Sequence, residues 1–462
     1  MRRSDFRLNR HFARQITAAC LFLTPANLIG AQPNVVVEAE EVVTHYTQAD
    51  NGAGPMWCYG STVVARDGDD VFVSTIETGK DVPPLCNCRW QLWHRGGDGW
   101  KLMQHEENYR QREPCPIAVI PGGPVFLSVN PSTEPPGVQY GPCQPLVLQF
   151  DRNKLSAPPR KNTPAFAEGT HFTDHSYRGF GADGETGELL LLNVNARTAK
   201  YFVSQRDAGG VWHARGTITF PIRGAYPQVS LRRGAAHVLA IGNIVEPVEE
   251  WQKLKAEKTG SKWDYVFRRL FYTHTPSIEN KPFAEPLEVD TVEKTGGHIA
   301  NLDLFVDAAG AAHLLYLKRP HANAVIREKY FPQSADTAHL EYAIVKDGNV
   351  VSRRTLAETT RTTGGLTPGY ARFHVADGEK PYVVANGTMT GRDGKSFTDM
   401  FLADLTIETD KPMFQRLNVK TPLSNFFTNT PRGGSKPGNI IDLFGVGGAD
   451  QLALRYVRVR LK

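Results

Sequence analysis

Asp174-His175, with Arg178 three residues on, sets a carboxylate, an imidazole and a guanidinium within five positions. An imidazole beside a carboxylate is the pattern of an oriented general base, and a guanidinium can neutralise an acidic substrate. Tyr226, in Ala225-Tyr226-Pro227-Gln228, adds a phenol able to carry a proton. His298 follows Gly296-Gly297, with Asn301 three residues on. Tyr370 with Arg372, and Arg432-Gly433-Gly434-Ser435, extend the set. Together these suit removal of the proton beside a sugar carboxylate: Arg or Asn draws charge from the carboxylate while His or Tyr takes the proton. On that chemistry His175 is the base and Asp174 its orienting partner. Tyr226 and His298 are further proton carriers; Trp57, Arg178, Asn301, Tyr370, Arg372 and Arg432 hold substrate, with Trp57 stacked on a sugar ring. Plainer readings stand beside these: His175 anchoring a loop, Tyr226 packed where a strand begins, the glycine pairs serving ordinary turns.

Other chemistries find less support. A glycosidase needs two carboxylates across its site, and Asp174 and Asp303 are the candidates. No G-x-S-x-G elbow, H-E-x-x-H helix or phosphate-cradling P-loop occurs. No metal site or cofactor is implied; Cys86-Asn87-Cys88 lacks the spacing of a zinc knuckle.

Residues so far apart need a scaffold that gathers them. The chain repeats one grammar: a short apolar run, a Gly/Asp turn, a second apolar run, then a polar loop. Residues 61–65 and 71–76 form one hairpin, and 90–93 with 100–103 form the next. Two successive hairpins make a four-stranded meander, the blade of a β-propeller. Further units open near residues 117, 178, 227, 302, 370 and 439, about 40 to 70 residues apart. The fold class expected is therefore all-β, a single propeller over residues 32–462 with seven four-stranded blades. The last unit lacks an outer strand, and the run at 34–43 has no hairpin of its own, so this N-terminal strand should close the ring. Residues 249–258 are good helix formers and read as a helical insertion in the fourth unit. Residues just before the innermost strands converge at one face of such a ring. That filter selects Trp57, Tyr59, His171, His175, Arg178, Tyr226, Gln228, His298, Asn301, Tyr370, Arg372, Arg432 and Ser435. Histidines 213, 237, 313 and 374 fall inside strands and read as structural.

Ser204–Trp212 approximates an Asp-box, and residues 306–316 carry the same aspartate–glycine hairpin before an apolar strand. With Asp174-His175 and Ala225–Gln228, these stretches resemble secreted BNR (sialidase-like) propellers, including polysaccharide lyases and related glycosidases. The resemblance implies a polysaccharide or oligosaccharide partner and β-elimination on a uronate-containing glycan. A sialidase-like hydrolase and a non-catalytic glycan- or protein-binding propeller are the alternatives. The chain departs from the family twice: no Arg-Ile-Pro element opens the propeller, and Asn193-Val194-Asn195-Ala196-Arg197 stands where lyase-type members carry a second histidine.

Residues 1–31 read as a signal peptide, with five arginines ahead of an apolar stretch from 16 to 29. Without them Lys+Arg falls from 53 to 48 and Asp+Glu from 48 to 47, leaving +1 in place of +5. A near-neutral chain gives no basic face for nucleic acid. The expectation is a secreted or periplasmic monomer, free of the membrane once the signal is removed. Cys58, Cys86, Cys88, Cys115 and Cys143 all lie early, and an oxidising compartment would join some in local disulfides.

Overall fold

The computed structural model describes residues 34–462 apart from 58, 176, 261–263, 360–364, 408 and 410. These form seven four-stranded antiparallel sheets arranged as a β-propeller. The innermost strands, in blade order, are Val64–Asp67, Ile117–Val119, Arg178–Asp183, Gly224–Arg232, His298–Val306, Leu366–Ala376 and Leu423–Thr428. Inner strands are buried on both faces because each blade is sandwiched between two others: every residue of Val125–Val129 and Arg178–Asp183 is buried. Outer strands are more open, and the first six residues of Asn349–Glu358 alternate, with one face left to water. Phe180, Leu189 and Leu191 of blade 3 pack on Ala118, Phe126 and Val147 of blade 2. Val229, Val238 and Phe271 of blade 4 pack on Leu192 and Val203 of blade 3.

The turn chemistry read from the sequence is present twice in one form. Asp207 and Asp307 each accept the backbone N–H four residues on, at 2.9 Å, and each carboxylate meets a histidine six residues on, His213 and His313. These histidines brace hairpins. His237 and His374 are likewise structural, paired with the Tyr272 hydroxyl and the Gly438 carbonyl.

Ring closure follows the expected route. Val35–His45 is the outer strand of blade 7, paired antiparallel with Ala453–Leu461 from Val35 opposite Leu461 to His45 opposite Ala453. Arg66 of blade 1 reaches Asp442 of blade 7 with two hydrogen bonds, 2.5 and 2.7 Å, and bridges the seam. The helix in the fourth unit runs Glu249–Thr259. A buried charge cluster ties it down, in which Glu246 accepts from Lys255 (2.7 Å) and Arg268 (2.5 and 2.9 Å).

Two arginines fill the axis of the ring. Arg372, 1% exposed, donates to the carbonyls of Leu302, Tyr59 (2.7 Å) and Phe426 (3.3 Å) and to the Tyr370 hydroxyl (2.6 Å). Arg432 is paired with Asp303 at 3.0 Å and donates to the Gly60 carbonyl at 2.8 Å. Their guanidiniums satisfy backbone oxygens from several blades that would otherwise be stranded at the centre.

The cysteines correct an expectation. Cys86, Cys88, Cys115 and Cys143 are free thiols, and Cys58 lies outside the described residues. Two of these thiols donate to oxygen: Cys143 to the Thr173 carbonyl and Cys115 to Gln111 Oε1.

Candidate functional site

The N-terminal ends of the inner strands do open on one face, and two cavities lie there side by side. The larger, a cleft of about 530 Å³, runs across blades 2, 3 and 4. Arg112 comes from the segment before blade 2. His175 and Tyr177 precede the first strand of blade 3, Asn195 and Arg197 follow its second, and Arg223, Tyr226 and Asn243 belong to blade 4. The smaller, about 390 Å³, is more apolar and is walled by Met56, Tyr59, Ile299 and Val446, with His298 and Asn301. Trp57, Tyr226 and Phe267 line both and form the partition.

His175 sits in the cleft wall with its Nδ1 2.9 Å from Glu113 Oε1. A carboxylate at Nδ1 fixes the tautomer that carries hydrogen there, leaving the Nε2 lone pair uncommitted among the described residues. Burial opposes ionisation of Glu113, but the hydrogen bond from His175, backed by the charges of Arg178 and Arg112, outweighs it and holds this carboxyl below the usual range. The imidazole is enclosed by rings: Tyr177 at 4.9 Å, Trp57 at 6.1 Å and Tyr140 at 6.4 Å between centroids. Tyr140 is 56% exposed and overhangs the mouth.

Asp174 does not orient His175. The two residues share a turn, and Asp174 faces inward, 4% exposed, with Oδ2 3.6 Å from Arg112 Nη1. Neither of its oxygens makes a hydrogen bond among the described residues, and burial pushes its carboxyl up, with Arg112 opposing.

Tyr226 accepts a hydrogen bond from Trp57 Nε1 at 2.8 Å, and its ring lies 4.7 Å from that of Tyr177. Burial raises its phenol well above the ordinary range. Its backbone is left-handed, φ +49°, at a bulge where the ladder skips between Ala225 and Gln228. Two features hold it there. Asn301 Nδ2 donates to the Tyr226 carbonyl at 2.8 Å, and Gly60 packs so close that a Cβ would stand 2.5 Å from that oxygen.

The remaining expected residues divide. His298 lines the smaller cavity, not the cleft, and burial with the Arg319 charge pushes its imidazole down to about 4. Asn301 and Tyr59 line that cavity too, with Asn301 acting chiefly through Tyr226. Gln228 is fully buried and donates to the Asn301 carbonyl. Arg178 is buried behind the site and donates to the Pro114 carbonyl at 2.7 Å. Tyr370, Arg372 and Arg432 belong to the axis, and neither cavity of this face includes them. Asp303, the second candidate carboxylate of a glycosidase, is 1% exposed and paired with Arg432. Ser435 accepts from the Arg66 backbone N–H and lines a separate cavity with Arg432 and Arg232. His171 gives its carbonyl to Ala196.

Glu113, Arg112, Tyr177, Arg223 and Asn243 were not selected from the sequence. Arg112-Glu113 precedes Ile117–Val119 much as His175–Tyr177 precedes Arg178–Asp183, so the same positional rule finds them when applied to the second blade. Arg197 and Arg223 have no carboxylate partner among the described residues, and Arg223 lies 5.3 Å from the Tyr177 ring centroid. The cleft thus offers an oriented imidazole, two phenols and uncommitted cations, the parts needed to take a proton beside a carboxylate.

No protein-family model matches the chain, and no curated sequence matches it. Solved structures do. A PL25 polysaccharide lyase, an ulvan lyase bound to -[GlcA(1-4)Rha3S]-, is similar over 92% of this chain and 95% of its own, with TM-score 0.52 at 9% identity. A second structure described as a PL25 ulvan lyase gives the same coverage with TM-score 0.51 at 8% identity. An α-L-arabinofuranosidase of Fusarium graminearum overlaps more loosely, 74% of this chain and 93% of that one at TM-score 0.41 and 9% identity. At such identities the likeness to the two lyase structures is one of fold: this chain is a seven-bladed β-propeller.

Proposed function

We propose that the chain is a polysaccharide lyase that cleaves uronate-containing glycans by β-elimination in the cleft around His175. The observation that carries this reading is the pair Glu113–His175, which leaves one imidazole nitrogen open in a cleft lined by Tyr177, Tyr226, Arg197 and Arg223. Arg197 or Arg223 neutralises the sugar carboxylate, His175 Nε2 takes the adjacent proton, and a phenol returns one to the departing sugar oxygen. Trp57, shared by both cavities, gives a ring face for the sugar. The fold likeness to ulvan lyases is compatible with this chemistry. A two-carboxylate hydrolase fits less well, since Asp174 is buried towards Arg112 and Asp303 is held by Arg432.

The test is a panel of uronate-containing polysaccharides. Turnover appears as the ultraviolet absorbance of the unsaturated uronate, and His175→Ala abolishes it while the protein stays folded. Glycan retained without product would instead favour a binding propeller, and neither turnover nor binding would end the carbohydrate reading. We assign residues 1–31 to an export signal and the ancestry to BNR-type propellers; mass spectrometry of the mature chain recovered outside the expressing cell tests the former.

A further inference from the structure

Of the rings around His175, Trp57 and Tyr140 are held in opposite ways. Trp57 is pinned by its own side chain, whose Nε1 donates to the Tyr226 hydroxyl at 2.8 Å. Tyr140 lines the same cleft and is 56% exposed, and its hydroxyl has no hydrogen-bond partner among the described residues. Exposure by itself is ordinary for a tyrosine. The backbone beneath it is not: φ is +55°, a left-handed conformation that glycine adopts freely and tyrosine rarely. The surrounding loop imposes it. Residues 131–145 hold five prolines, and the loop is closed at its base where the Thr133 N–H donates to the Pro142 carbonyl at 2.9 Å. The Ser132 N–H donates to the Arg110 carbonyl at 2.9 Å, tying one end to the segment that carries Glu113. The other end is tied to the segment that carries His175. There the Cys143 N–H donates to the Phe172 carbonyl at 3.0 Å, and the Asp174 N–H donates to the Gly141 carbonyl at 3.1 Å. Backbone bonds thus carry Tyr140 beside the Glu113–His175 pair, with the buried Arg112 guanidinium 6.0 Å from its ring centroid. Backbone strain of this kind gathers at sites where the fixed residue is used.

We infer that Tyr140 binds substrate as a second aromatic platform of the cleft, against which one pyranose ring of the glycan stacks next to His175. The inference rests on the carbohydrate reading of this face. Trp57 and Tyr140 lie 6.1 and 6.4 Å from the imidazole between centroids and make no ring contact with each other among the described residues. A sugar presented to His175 Nε2 therefore meets one ring on the partition and another at the mouth. Pyranose rings carry C–H groups on their faces and hydroxyls at their edges. An aromatic face takes up the apolar side and leaves the polar edge to Arg197 and Arg223. The ring face, and not the phenol hydroxyl, is what the loop presents.

The test uses the full chain with ulvan, alginate, polygalacturonate, hyaluronan and chondroitin sulfate. It reads turnover where the glycan is cleaved and a dissociation constant where it is only bound. Tyr140→Ala should raise KM, or the dissociation constant, by about tenfold with kcat within about twofold of wild type. Tyr140→Phe keeps the ring face and should bring the value back to within about twofold. Tyr140→Gly removes ring and strain together, so affinity should fall as far as in Tyr140→Ala while the urea midpoint holds or rises. A residue that only packs the loop would lose midpoint along with the ring. Unchanged affinity in Tyr140→Ala overturns the inference, as does a Tyr140→Phe as weak as Tyr140→Ala. So does a glycine variant that unfolds earlier than wild type. Each of these leaves the Glu113–His175 chemistry standing, whereas a wild type that neither cleaves nor binds any of these glycans removes both.

Discussion

Replacing Arg372 with methionine separates a scaffold role from a substrate-binding one. The guanidinium is 1% exposed and donates to the carbonyls of Leu302, Tyr59 and Phe426 as well as to the Tyr370 hydroxyl. It also stacks 4.6 Å from the Phe427 ring centroid. Methionine keeps much of the volume and none of the donors. Three buried carbonyls then lose their partner, at about 1–3 kcal/mol each. Some of that is recovered where water enters the axis, so the expected loss is about 5 kcal/mol, the range reserved for a broken buried network. Urea unfolding of wild type and Arg372→Met, followed by tryptophan fluorescence and circular dichroism together, measures it. Where unfolding is irreversible, the unfolding rate stands in for the midpoint. The folded fraction should keep its glycan affinity, because neither cavity of the candidate face includes Arg372. A loss below about 1.5 kcal/mol with weakened glycan binding would refute the axial role and return Arg372 to the substrate.

Glu113→Gln keeps the shape beside His175 Nδ1 but removes the charge that orients the imidazole; turnover should drop by about 10²-fold with the unfolding midpoint nearly unchanged, and an unaffected kcat/KM would count against the pair. Burial pushes His298, His374 and His237 down to about 4, 4 and 3, so the unfolded chain takes up their protons first. Stability should therefore hold above pH 6.5 and fall as pH drops from 6.5 towards 4, by up to about 1.4 kcal/mol per group for each unit of its shift. Denaturation midpoints at pH 7.5 and pH 5 read this, and equal midpoints would contradict it. Deleting residues 34–45 strips the outer strand from Ala453–Leu461 and leaves an open edge; the truncated chain should self-associate in size-exclusion chromatography, and a well-behaved monomer would show that the edge is protected otherwise.

The ring was legible because its turns announce themselves. Residues 66–69, 96–99, 183–184 and 307–310 mark hairpins whose strands the structure reproduces to within a few positions. The one inner strand that was missed is Leu423–Thr428, and the reading of blade 7 begins instead near 439. It is six residues long and pairs with Ile440–Gly447 across a loop, so no tight turn flags it. The closing strand was found for the opposite reason: an unpaired run at one end of the chain and an unfinished blade at the other leave few alternatives.

The site was half legible, and the division follows where a residue falls relative to an inner strand. Residues placed before an inner strand reach the face, as Arg112, Glu113, His175, Tyr177 and Arg223 do. Those placed deeper within one are turned into the axis or into the next blade, as Gln228 and Arg372 are, while His298 and Asn301, near the start of theirs, line the smaller cavity. Sequence adjacency therefore misassigns the partner of His175. Asp174 is beside it in the chain and on the other side in space, while Glu113 lies 62 residues away and is delivered by the neighbouring blade. In the larger cleft Tyr226 is the instructive exception. It lies inside Gly224–Arg232 and still lines the cleft, because a bulge and a left-handed backbone swing it out of the ladder. A non-glycine residue in that conformation costs on the order of 1 kcal/mol or more and persists only where its surroundings impose it. Here the surroundings are Asn301 on its carbonyl, Gly60 against the same oxygen and Trp57 on its hydroxyl. Asn301, expected to touch substrate, thus bears on the cleft mainly by holding the phenol that faces Tyr177. The strain is local to the partition between the two cavities, which Tyr226 forms with Trp57 and Phe267.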